Sequence, residues 1–123
     1  VELRAKVVDR WLYLQKRYKT IRKDSADTRK GLCAVWHDRG ATAIYHYSNL
    51  TKETYKQLFG NPSLKKAEMN ERQILALKAI ESLETFKLYQ NEETTGYHAL
   101  KDSIIETVSN PAIVANSVLL AIQ

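Results

Sequence analysis

Val7, Trp11, Leu14, Tyr18 and Ile21 recur at intervals of 4, 3, 4 and 3 residues. A mean spacing of about 3.5 keeps a narrow apolar stripe on one side of a helix. Leu3, Val8 and Leu12 widen the stripe, and no glycine or proline interrupts residues 2–23. This segment is therefore expected to be one long helix. Two heptads are too few to make a self-sufficient coiled coil. The stripe must either cover the domain's own core or pair with another chain, and its five residues are the candidate protein interface.

Downstream, Asp24 and Ser25 are residues that cap helices well, and a second helix is expected to start there. Its apolar side would be Leu32, Val35 and Trp36, and Gly40 would end it. Gly31 inside it should cost about 1 kcal/mol relative to alanine, and the sequence offers no reason for it other than close packing. Ala43, Tyr45 and Tyr47 alternate with Thr42, Ile44 and His46, so residues 41–47 form either a short strand or an extended loop. A short helix then presents Leu50, Tyr55, Leu58 and Phe59 inward and stops at Gly60-Asn61-Pro62. Asn70 and Gln73 make a capping box for a helix whose apolar set is Ile74, Leu75, Leu77, Ile80, Leu83, Phe86 and Leu88. Gly96 opens another helix carrying Tyr97, Leu100, Ile104, Ile105 and Val108, and Asn110-Pro111 starts a last one through Ile122. The expectation is an all-α single domain of five to six helices, with at most one short strand. A basic helix over residues 1–23 would precede the main domain over residues 24–123.

Composition narrows the function classes. A chain of 123 residues can bury a sizeable core without staples. Its single cysteine excludes an internal disulfide framework and multi-cysteine zinc sites. No apolar run approaches about 18 residues, which excludes a membrane span. The chain starts at Val1 without a signal-peptide pattern, so a cytoplasmic location and a further segment before Val1 are expected.

The formal charge of +5 is unevenly placed. Residues 1–30 hold ten basic and four acidic side chains, and the remainder holds nine basic and ten acidic. Lys16, Arg17, Lys19, Arg22 and Lys23 are the densest cluster and the candidate nucleic-acid contact. Without asparagine or glutamine partners to read base edges, they would bind DNA non-specifically through phosphates.

Candidate chemistry is sparse. Cys33 and His37 share one face of a helix and could be two metal ligands or a nucleophile and its base. The other histidines, His46 and His98, are distant in the chain, and Asp38 points about 100° away from His37 on a helix. Cys33 is thus expected to be structural. The carboxylate pairs Glu92-Glu93 and Glu81/Glu84 are expected in a polar connection and on the solvent side of a helix, respectively. No catalytic residue, metal or cofactor is expected, and a small Cys/His enzyme ranks third among the readings.

The order of segments carries a resemblance. A basic helix with Val8-Asp9-Arg10-Trp11 leads into Asp24-Ser25-Ala26-Asp27-Thr28-Arg29. Ile44-Tyr45-His46-Tyr47-Ser48-Asn49-Leu50-Thr51 follows, then Leu58-Phe59-Gly60 and the leucine-rich stretch from Asn70 to Leu88. Over residues 20–120 this resembles the carboxy-terminal region of prophage antirepressor-type regulators, which carry a KilA-N, Bro-N or Rha-like domain in front. The resemblance implies a non-enzymatic regulatory domain in a bacterial host. Such a domain would bind a phage repressor or other regulatory protein, form homo-oligomers and bias the lytic–lysogenic switch. A DNA-binding module using the first helix is the alternative.

Overall fold

A single helix of 37 residues, α1 (Glu2–Asp38), opens the chain. The computed structural model describes residues 2–109, with side chains from residue 4 onward. Next come α2 (Ile44–Phe59), a one-turn 3-10 segment at Lys66–Glu68, α3 (Glu71–Gln90) and α4 (Tyr97–Ser109). The fold is all-helical as expected, with four α-helices among the described residues rather than five or six. The helix expected over residues 111–122 lies outside the described residues.

The first correction concerns Asp24 and Ser25, which cap nothing. Both lie inside α1, so the expected boundary between residues 23 and 24 falls within one continuous helix. The physical reason is that the stripe does not stop at Ile21. It continues at the same spacing through Ser25, Thr28, Leu32 and Val35, and Ser25, Leu32 and Val35 are buried. Packing an uninterrupted face outweighs the weak preference of Asp and Ser for caps. Gly31 lies in the same helix. A Cβ added there would meet nothing within 4 Å, so close packing does not explain it.

No strand forms among the described residues, and α2 starts at Ile44, inside the segment that alternates. A strand needs a partner, and no second strand candidate exists to pair with it. Tyr45 is exposed, as an outward helical position allows. The N–H of His46 bonds the Ala43 carbonyl at 3.0 Å, and the N–H of Ala43 donates to His46 Nδ1 at 3.3 Å. The other expected ends hold. Gly60, at φ 74°, terminates α2, and Asn70 and Gln73 cap α3 reciprocally at 2.9 and 3.0 Å.

α1 lies along α3 in the same direction. Arg17 pairs with Glu71 at the start of α3, Asp24 with Lys78, and Arg39 reaches the end of α3. Arg39 donates to the carbonyls of Leu88 at 2.6 Å and Asn91 at 2.8 Å, placing a cation at the negative end of α3. α2 and α4 start side by side, with the His46 and Tyr97 rings stacked 4.6 Å apart. Gly40 sits against Gly96 at the join. Its φ of 102° and a would-be Cβ 3.2 Å from the Gly96 nitrogen both require glycine.

Apolar burial occurs in two clusters. One combines Leu32, Val35, Trp36, Leu50, Ile80, Leu88, Leu100, Ile104 and Val108, drawn from all four helices. The other combines Tyr55, Met69, Ile74 and Leu77, with Tyr18 and Ile21 of α1 packed against them. Phe86, expected on the apolar side, is exposed.

Candidate functional site

Between the two apolar clusters, three helices each place polar groups at one level. Ser25 comes from α1, Thr54 from α2, and Glu81 and Glu84 from α3, all buried. The two glutamates, expected on the solvent side, are instead 1% and 3% exposed. They belong to the inward stripe of α3, which reads Ile74, Leu77, Glu81, Glu84, Leu88 at alternating spacings of 3 and 4. This stripe faces the equally spaced stripe of α1, and the helix carries its carboxylates into the interior because its apolar neighbours on the same stripe must go there.

The carboxylates are poorly partnered. Glu81 Oε2 is 3.9 Å from Arg29 Nη1, within Coulombic reach but too long for a hydrogen bond. Neither Glu81 oxygen has a hydrogen-bond partner among the described residues. Glu84 Oε1 lies 3.5 Å from Thr54 Oγ1, whose hydroxyl also reaches the Leu50 carbonyl at 3.0 Å. Burial pushes the Glu81 carboxyl up to about 7, against the pull of Arg29 and Lys66. Burial pushes Glu84 further, to about 8, and the neighbouring Glu81 charge adds to the rise. Glu84 is therefore mostly protonated at neutral pH. With the Thr54 proton committed to Leu50, a protonated Glu84 is the donor that this contact lacks. Burial also raises the Tyr55 phenol and lowers the Lys66 ammonium, so the whole cluster disfavours charge.

Arg29 is the hub. It donates to the Thr51 hydroxyl, lies near Glu81 and stands 5.8 Å over the Trp36 ring. Charge alone does not separate Arg29 from the other basic residues of α1. Its position one turn beyond Ser25, on the α3-facing side, is the signal that could have found it.

The sequence-predicted interface divides into two parts. Tyr18 and Ile21 pack on the domain's own core, and the Tyr18 hydroxyl donates to the Met69 carbonyl at 3.0 Å. Val7, Trp11 and Leu14 lie beyond Arg17, where α3 begins, and are 62%, 58% and 42% exposed. Residues 4–17 thus form an arm of roughly 21 Å at 1.5 Å per residue. Val8, Leu12 and Tyr13 are exposed on it too.

The basic cluster also divides. Arg17 pairs with Glu71 at 2.9 Å, and Arg22 donates to the Lys66 carbonyl at 3.1 Å. Lys16, Lys19 and Lys23 are exposed along one face. Cys33 packs partly into the larger cluster, whereas His37 and Asp38 lie on the surface, 3.7 Å apart. No group of three or more metal-ligating side chains occurs among the described residues. No described helix is long and apolar enough to cross a membrane. Neither a protein-family model nor a curated protein matches the chain.

Proposed function

We propose that this chain is a non-enzymatic protein-interaction domain that self-associates through the amino-terminal half of α1. The observation that carries the reading is the stripe itself. One helix face keeps the same 3.5-residue spacing from Val7 to Val35, yet among the described residues the large apolar side chains before Arg17 stay exposed. Large apolar residues that continue a buried stripe into solvent are the mark of a surface that another helix covers. A second stripe, Val8 and Leu12, lies beside the first, so the arm can accommodate more than one neighbouring helix. The regulatory role follows the segment resemblance: an antirepressor-type domain, acting on a phage repressor or other regulatory protein in the bacterial cytoplasm.

A Trp11→Ala chain tests the reading. Light scattering on a sizing column should find it monomeric where the native chain is not, with the helical signal retained and an unfolding midpoint that no longer rises with protein concentration. A variant that associates like the native chain refutes the interface. Because Trp11 lies on the arm, clear of the body, its truncation should not cost the several kcal/mol that a core tryptophan would.

The lysine row supports a second reading, non-specific DNA binding, because Lys16, Lys19 and Lys23 are free of the fold's own ion pairs among the described residues. Salt separates the two. Phosphate binding weakens steeply with salt. Association of two basic arms strengthens instead, as screening relieves their repulsion.

A further inference from the structure

Next to the buried acid layer, α1, α2 and the segment after Pro62 enclose an open cleft of about 370 Å³. That volume lies in the range of small-ligand sites. The walls differ in chemistry. Arg29 and Lys52 supply two positive charges, with the Ser48 and Thr51 hydroxyls beside them, and no carboxylate is among the lining residues. Tyr47 and Leu64 contribute an apolar wall. Arg29 is held in place by Thr51 and remains 23% exposed, so one guanidinium serves both the cleft and the acid layer.

We propose that this cleft binds a small phosphomonoester, its phosphate on Arg29 and Lys52 and its organic group against Tyr47 and Leu64. Two cations match a dianion better than a singly charged carboxylate, and the Arg29 guanidinium with the adjacent Ser48 hydroxyl supplies donors for the several acceptor oxygens of a phosphate, while the Thr51 proton goes to the Tyr47 carbonyl. The apolar wall requires an ester rather than the bare ion. This site is separate from the α1 arm and does not depend on the self-association reading.

Binding is also coupled to protons. The charged and titratable groups around Arg29 are Glu81 and Glu84 from α3, Tyr55 and Lys52 from α2, and Lys66 from the 3-10 turn. A dianion on Arg29 competes with Glu81 for the same cation. Glu81 then holds its proton more tightly, and the complex takes up protons at mildly alkaline pH.

Isothermal titration of the chain at pH 8 tests this, with phenyl phosphate as the ligand and sulfate as an anion lacking the apolar group. Two buffers of different ionisation enthalpy report the proton count. One-to-one binding is expected, with phenyl phosphate about tenfold tighter than sulfate and net proton uptake. Lys52→Glu and Ser48→Val, both at exposed positions, should weaken it by about tenfold and a few-fold respectively while the circular dichroism stays native. Lys19→Glu, outside the cleft, should change it less than about twofold. No saturation by ~10 mM would overturn the proposal. So would equal binding of sulfate, equal loss in Lys52→Glu and Lys19→Glu, or binding without proton uptake.

Discussion

Replacing Glu84 with glutamine should make the protein more stable at alkaline pH. The native carboxyl is raised from 4.5 to about 8 by burial, so the folded chain keeps a proton that the unfolded chain has released above about pH 4.5. The folded state therefore binds more protons across this window, and stability falls as pH rises from about 4.5 to 8, then levels off. At 1.36 kcal/mol per pH unit the loss is at most about 5 kcal/mol, and partial hydration of an opened core reduces it to roughly 3. Glutamine keeps the shape and offers an N–H to Thr54 Oγ1 without ever ionising. Urea unfolding followed by circular dichroism at pH 5, 7 and 9 would measure the effect. Glu84→Gln should match the native chain at pH 5 and exceed it by roughly 3 kcal/mol at pH 9. Glu81, raised to about 7, leaves the variant a smaller slope that ends near neutrality. A native chain whose stability is flat or rising from pH 5 to 9, or a variant less stable than it at pH 9, would falsify the buried-acid reasoning.

Four further substitutions probe the frame around this layer. Arg39→Ala should cost roughly 2–4 kcal/mol in chemical denaturation, because it removes charge-assisted bonds from the carbonyls that end α3. Gly40→Ala should cost roughly 1–3 kcal/mol, from its positive φ and the 3.2 Å approach to the Gly96 backbone, whereas Gly31→Ala should raise the unfolding midpoint. Cys33→Ser should cost about 1 kcal/mol, since its side chain is only partly buried, and should leave self-association intact by light scattering.

Local signals in the sequence were reliable where they act on the backbone. The Asn70–Gln73 box and Gly60 stop helices where their chemistry says they must. The errors arose where a long-range stripe overrode a local signal. Ser25 reads as a cap, but it lies on the α1 stripe that runs from Tyr18 to Val35 against α3. Glu81 and Glu84 read as a solvated pair by charge alone. Their positions between Leu77 and Leu88, at alternating spacings of 3 and 4, place them inside. Spacing along the helix, not residue polarity, decided burial in both cases. The cleft beside Arg29 was invisible because it unites α1, α2 and the turn after Pro62, which only tertiary packing brings together. The arm was half legible: the stripe from Val7 to Ile21 is plain in the sequence, but the point where its own core ends is set by Glu71, the first residue of α3.

Sedimentation equilibrium of the native chain, over concentrations from about 1 µM to about 1 mM and at two salt concentrations, tests the role of the arm. The exposed stripe of Val7, Trp11 and Leu14 predicts a reversible rise from the 14.1 kDa monomer to twice that mass or more. The rise should begin at lower protein concentration in higher salt, because the associating arms are both basic. A mass that stays at 14.1 kDa across the whole range would contradict self-association and leave the apolar arm without the partner assigned to it.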